Sequence, residues 1–101
     1  MYAIIYTFKV KDGMEKTFIQ SWKTLTQLIY KYEGSLGSRL HKSEDSIYVA
    51  YAQWPNKETF NKADSNLPDE ANEVRKKMRE SCIEIQTLYN MDVVEDLLKN
   101  E

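Results

Sequence analysis

The sequence predicts a single α+β domain in which helices cover one face of a four-stranded antiparallel sheet. Three observations lead there. Alternating apolar residues mark strands at both ends of the chain and around its middle. Between them lie segments whose apolar residues recur at steps of four and three, the spacing of a helix with one buried side. The chain has 101 residues, 42% of them hydrophobic and 12% aromatic, with three Gly and two Pro, which is enough apolar surface for one core and too little chain for two.

Tyr2, Ile4, Tyr6, Phe8 and Val10 alternate with Ala3, Ile5, Thr7 and Lys9, so the first strand has one strongly and one mildly apolar face. Lys11-Asp12-Gly13 breaks it, and Asp12 with Glu15 has the capping-box pattern of a helix start. From Met14 onward Phe18, Trp22, Leu25, Ile29 and Tyr32 form one stripe, ended by Glu33-Gly34-Ser35. Residues 36–42 and 46–53 read as a hairpin around the polar turn Lys42-Ser43-Glu44-Asp45. Trp54-Pro55 closes its second arm, since proline cannot donate into a ladder, and Asn56 caps a short helix carrying Phe60 and Ala63. A last main helix is expected over 69–81, with Asp69 and Glu70 at its positive end and Ala71, Val74, Met78 and Cys82 on its stripe. Ile83, Ile85, Thr87, Tyr89 and Met91 alternate as a final strand. Val93, Val94, Leu97 and Leu98 form an apolar tail that either crosses to a partner or caps its own sheet edge.

This order is the split βαββαβ of ferredoxin-like sandwiches, with the first and third strands central and the helices on one face. Neither central strand offers a wet side. Ala3 and Ile5 back the first, and the third carries both Ile47/Val49/Tyr51 and Tyr48/Ala50/Ala52/Trp54. A bare apolar sheet face exceeds what a soluble monomer usually exposes, so a homodimer through that face is expected.

A net charge of −2 and only 14 Lys+Arg against 16 Asp+Glu give no basis for nucleic-acid binding. The basic cluster Arg75-Lys76-Lys77…Arg79 is interleaved with Glu70, Glu73, Glu80 and Glu84, which reads as a solvated helix face. The third strand, with Tyr48-Val49-Ala50-Tyr51, lacks the base and glycine that an RNA-recognition strand needs. No apolar run approaches the roughly 18 to 20 residues of a membrane span. Met1-Tyr2-Ala3-Ile4 has none of the basic start of a signal peptide, so the expected address is cytoplasmic. A single Cys and a single His leave no internal disulfide and no zinc spacing. Gly34-Ser35-Leu36-Gly37 precedes a strand instead of opening a helix, and so reads as a turn and not a phosphate cradle.

The runs Val10-Lys11-Asp12-Gly13-Met14-Glu15, Phe18…Trp22, Gly34-Ser35-Leu36-Gly37-Ser38-Arg39-Leu40-His41 and Tyr48-Val49-Ala50-Tyr51-Ala52-Gln53-Trp54-Pro55 resemble the antibiotic biosynthesis monooxygenase (ABM) family. The resemblance covers nearly the whole chain and implies a dimeric α+β barrel. Its haem-degrading branch looks for an Asn in the first strand, a Trp in the short helix and a ligating His on the next helix. Here the Asn position falls on Tyr6 and the Trp position on Ala63, and residues 69–81 contain no His. What the resemblance implies instead is oxygenation without metal, flavin or other cofactor, in a pocket holding a small phenol or hydroquinone.

Such chemistry asks for flat aromatic walls, help with deprotonation and hydrogen bonds to the resulting anion. Tyr6, Tyr51 and His41 are the expected catalytic residues, with Trp22, Trp54 and Arg39 lining the substrate. Each has a plainer reading. His41 beside Lys42 can be an edge residue, Trp22 and Trp54 core packing, Arg39 a partner of Glu44 or Asp45, and the tyrosines ordinary core phenols. Slipping the third strand by one residue replaces Tyr51 in the pocket by Ala50 and Ala52. A non-catalytic homodimer that binds a small apolar ligand is the alternative on the same scaffold.

Overall fold

A computed structural model describes residues 1–44, 46–63 and 65–98. Its elements are β1 (Tyr2–Val10), α1 (Glu15–Tyr32), β2 (Gly37–Lys42), β3 (Ile47–Trp54), α2 (Lys57–Asn61), α3 (Glu70–Glu80) and β4 (Cys82–Asp92). The strands form one antiparallel sheet in the order β2-β3-β1-β4, the ferredoxin-like arrangement, with β1 and β3 central.

Register decides which side chains face the helices. Tyr6 stands opposite Ala50 and Ile5 opposite Tyr51, so the two strands present their residues in matched sets. Tyr48, Ala50, Ala52 and Trp54 are the buried set of β3, while Ile47, Val49, Tyr51 and Gln53 are only partly buried on the other side. Phe8, Val10, Tyr48 and Ala50 pack with Phe18 and Leu25 of α1 and with Ala71 and Met78 of α3. Phe18 is fully buried, and its ring lies 5.0 Å from Phe8 and 5.2 Å from Tyr48, centroid to centroid. A second cluster of Tyr2, Ile4 and Trp54 is closed by Phe60 of α2, 5.7 Å from Tyr2 and 5.5 Å edge-on to Trp54.

The local signals mostly act as the sequence predicts. Asn56 Oδ1 accepts from Thr59 N at 2.7 Å and so caps α2. Gly34, at φ 79°, takes the left-handed turn that ends α1. The turn between β2 and β3 is closed by Ser43 N donating to Ile47 O and Ile47 N to Glu44 O, while Asp45 lies outside the described residues.

Four details differ. The Asp12–Glu15 capping box does not form, because Gly13 at φ 81° turns the chain and α1 starts from Met14 with no side-chain cap. Tyr32 leaves the α1 stripe and stands exposed beneath Lys31, whose Nζ is 5.2 Å from its ring centre. Cys82 does not end a helical stripe but opens β4 opposite Val10. The ladder between β1 and β4 shifts twice, leaving Leu88 and Ile83 without an opposite residue. The bulge at Leu88 breaks the expected alternation: Ile85 and Thr87 face the helices with Phe8 and Tyr6, and Tyr89 and Met91 face the other way with Ile5 and Ala3.

β4 is the least covered strand, with Ile83 63%, Leu88 46% and Tyr89 61% exposed. Beyond it Val93 N donates to Met1 O, and the tail runs on with Val94 92% and Leu97 85% exposed. No helix among the described residues is long and apolar enough to cross a membrane.

Candidate active site

Where α1, α2 and α3 meet the sheet, the packing stays open around a chamber of about 310 Å³. Its floor is Tyr6 and Phe8 of β1 with Ala52 and Trp54 of β3, and Ser38 closes it at the β2 edge. Trp22, Leu25, Thr26 and Ile29 come from α1, at the spacing that puts them on one helix side. Phe60 and Ala63 stand at the α2 end, and Arg75, Met78 and Arg79 form the α3 wall. The volume falls at the small end of ligand pockets, suited to one or two fused rings.

The small residues make the space. Ala50 and Ala52 of β3 sit between Tyr48 and Trp54, so the strand carries bulk at its ends and leaves room in the middle. Hydroxyls supply the polar edge. Ser35 Oγ accepts from Gly37 N at 2.9 Å, and Ser38 Oγ donates to Tyr51 O at 3.0 Å. Glu33, buried at the end of α1, accepts from Asn66 N at 2.6 Å and ties the segment after α2 down beside the chamber.

Of the residues picked out in the sequence, Tyr6, Trp22 and Trp54 line the chamber together. Tyr51, Arg39 and His41 do not reach it. Register puts Arg39 opposite Tyr51 and His41 opposite Val49, all on the sheet face away from the helices. The large side chains of the other set, Tyr48 and Trp54, fill the helix side and fix β3 in that phase. His41 Nδ1 lies 3.0 Å from Val49 O, at an exposed edge. Arg39 and Tyr51 border a shallow groove of about 220 Å³ on the open face, with Gln53 and, from the tail, Leu98.

Several lining residues lie outside the set expected from sequence, Arg75 and Arg79 among them. Arg75 and Arg79 were grouped with a solvated helix face, yet they follow the buried Ala71 at steps of four and so share its side of α3. That spacing was the available signal. Among the described residues no three His, Cys, Asp or Glu side chains gather as metal ligands, and α3 carries no His. Tyr6 and Ala63 both line the chamber.

The antibiotic biosynthesis monooxygenase family profile matches residues 1–66, which covers β1 through α2 and all of the chamber except its α3 and β4 walls. The chain belongs to that family. Solved structures agree on the fold. SnoaB, a cofactor-independent oxygenase from Streptomyces nogalater, superposes in a variant form with a TM-score of 0.78 over 97% of each chain at 15% identity. A Caulobacter crescentus protein named for the antibiotic biosynthesis monooxygenases gives 0.77 at 17% identity, covering 93% of this chain and 90% of that one. A Bacteroides thetaiotaomicron protein of unknown function, described as a possible oxidoreductase, gives 0.71 at 15% identity, over 89% and 96%. No curated protein matches the sequence. At these identities the likeness of ABM proteins to one another is one of backbone, and the chemistry has to be argued from the chamber.

Proposed function

We propose that this ABM protein is a homodimeric cytoplasmic oxygenase that binds a small phenol or hydroquinone in the helix–sheet chamber and lets it react with dioxygen without metal or flavin. The observation that carries the reading is the convergence of Tyr6, Trp22, Trp54 and Phe60 on one partly open chamber of about 310 Å³. SnoaB, which has the same fold, is described as a cofactor-independent oxygenase.

Triplet dioxygen reacts slowly with closed-shell molecules, but an electron-rich phenolate can give it one electron. The resulting radical pair joins as a ring hydroperoxide, which loses water. For a hydroquinone the sum is hydroquinone plus dioxygen to hydroxyquinone plus water, and the substrate itself supplies all the electrons. The protein's part is to exclude bulk water, hold the ring flat between aromatic walls and stabilise the anion. Tyr6, which faces the chamber from the central strand, is the residue assigned to contact the substrate oxygen; Trp22 and Trp54 hold the ring.

The dimer belongs to the same proposal. Ile5, Val49, Tyr51, Tyr89 and Met91 form the middle of the open sheet face, partly or largely exposed. Arg39 and His41 lie along its β2 edge and Glu84 along its β4 edge. A two-fold axis parallel to the strands lays one edge on the other and covers the apolar middle. A second copy of this chain is therefore the occupant assigned to that face, and a single unpaired cysteine suits the cytoplasm.

An oxygen electrode tests the activity. With a panel of reduced quinones, at least one should consume dioxygen in equimolar amount, well above autoxidation and with a hydroxyquinone as product. Autoxidation rates across the whole panel would replace the oxygenase by the non-catalytic ligand-binding alternative.

A further inference from the structure

Three hydroxyl residues line the chamber toward β2: Thr26 of α1, Ser35 in the turn before the strand, and Ser38 of the strand itself. Both serines have committed their proton. A backbone carbonyl can only accept, so the Ser38 hydroxyl donates to Tyr51 O at 3.0 Å and the Ser35 hydroxyl to Gln53 O at 3.4 Å. Ser35 Oγ also accepts from Gly37 N, whereas no N–H among the described residues donates to Ser38 Oγ. Ser38 therefore offers the chamber lone pairs. Thr26 is the opposite case. Ser21 on the same helix donates back to Thr17 O at 2.7 Å, but the Thr26 hydroxyl has no hydrogen-bond partner among the described residues. None of their buried side-chain oxygens or nitrogens lacks a partner, so Thr26 Oγ1 lies at an open surface, and the chamber is the space that Thr26 lines. Ser38 stands opposite Ala52 across the β2–β3 ladder, where the small side chain keeps the floor low.

We infer that this end of the chamber reads a neutral hydroxyl on the ligand, whose proton goes to Ser38 Oγ and whose oxygen accepts from Thr26 Oγ1, with the ring lying over Ala52. The inference rests on the reading of the chamber as the binding site and adds the substituent carried at the end remote from Tyr6. Sheet order supports that placement. β3 lies between β2 and β1, so Ser38 and Tyr6 stand two strand spacings apart, roughly 9–10 Å between backbones, which suits a ring system with oxygen at both ends. A carbonyl or an ionised oxygen at the Ser38 end would face lone pairs and forfeit a hydrogen bond. Hydrogen bonding to the protonated form holds a phenol's proton in place. A hydroquinone bound this way keeps its proton beside Ser38 and loses the other, so its phenolate forms at the oxygen assigned to Tyr6.

Anaerobic isothermal titration of the full chain with 2,6-dihydroxynaphthalene and its mono- and dimethyl ethers tests this. Methylation removes donors and leaves the oxygens as acceptors, so the diol should bind at least fivefold more tightly than the dimethyl ether, the worth of about one neutral hydrogen bond. Ser38→Ala should weaken the diol at least threefold and leave the dimethyl ether within twofold. Thr26→Val should weaken both, because an ether oxygen still accepts. A merely structural role for Ser38 would not separate the two probes. Thermal melts identify a variant that fails to fold, and the wild-type ranking with the remaining variant then decides. Equal affinities for diol and dimethyl ether, or a Ser38→Ala chain that weakens both alike, would overturn the inference. No binding of any probe at 1 mM would remove it together with the chamber as a binding site. Oxygen uptake with hydroquinones is measured separately. Uptake above autoxidation without a preference for the diol sinks the hydroxyl site alone; a Ser38-dependent preference with uptake at the autoxidation rate sinks the oxygenase and leaves the hydroxyl site standing.

Discussion

On the helix side of the sheet, Tyr6, Ala52 and Trp54 end in a lined chamber, whereas on the other side Ile5, Val49 and Tyr51 end at the surface of the chain. The same two strands supply both sets, one residue out of phase. The helix side has rigid partners: Phe18 and Leu25 of α1, Met78 of α3 and Phe60 of α2 fill it except where alanines leave room. Among the described residues the open side has only its own tail, with Leu98 beside Tyr51 and most of the tail exposed. The difference teaches that apolar content does not separate the faces of a two-sided strand. Burial follows the partner layer: Tyr48 and Trp54 pack under helices, whereas Ile47, Val49, Tyr51 and Gln53 stay only partly buried.

Removing a helix-side anchor should have the largest effect. Phe18→Ala deletes the ring between Phe8 and Tyr48 and is expected to cost about 3–5 kcal/mol, read as a shifted midpoint in urea unfolding. A loss below 1 kcal/mol would mean that the helix layer is not what holds β1 and β3. The open face should answer differently. Val49→Lys places a charge in the middle of the face assigned to a second copy and should weaken dimerisation by about 100-fold, or about 2.7 kcal/mol. Sedimentation equilibrium would then move from twice the chain mass toward 11.9 kDa at micromolar concentration, with the chain still folded. A wild-type chain that is already monomeric removes the proposed role of this face.

Smaller changes sharpen the contrast. Asn56→Ala removes the cap of α2, which carries Phe60 to the chamber, and should cost about 1 kcal/mol without altering the mass in solution. The smallest effect is a pH dependence. Burial pushes the Cys82 thiol above the ordinary thiol value, against weaker pulls from the Ser81 hydroxyl and the Lys11 charge. The unfolded chain therefore gives up this proton first as pH rises. Stability from this group is complete below the unfolded value and declines from there through the folded one. Urea midpoints at pH 8 and pH 10 should fall further in the wild type than in Cys82→Ala; equal falls would show that the thiol contributes nothing to the alkaline slope.

Where one face is plainly apolar, as from Tyr2 to Val10, alternation predicts a central strand that the structure places at the centre, and Asn56 before Lys57 marks a cap that forms. Legibility ends where a residue's partner is distant. Nothing local announces that the ladder with β1 skips Leu88, so the phase of Ile85, Tyr89 and Met91 is set by the neighbouring strand. Cys82 fits a helical step and is claimed by β4 because Val10 needs a partner there. Tyr6, Trp22 and Trp54 lie on stripes with bulky neighbours, and all three line the chamber. Tyr51, Arg39 and His41 depended on the phase of β3, and Arg75 and Arg79 were hidden by the charges around them.

Two single-oxygen deletions read directly which face of the sheet does the chemistry. Oxygen uptake with an active reduced quinone should fall at least tenfold in Tyr6→Phe and stay within twofold of wild type in Tyr51→Phe. Full activity in Tyr6→Phe together with a collapse in Tyr51→Phe would move the reaction to the open face and contradict the assignment of the chamber.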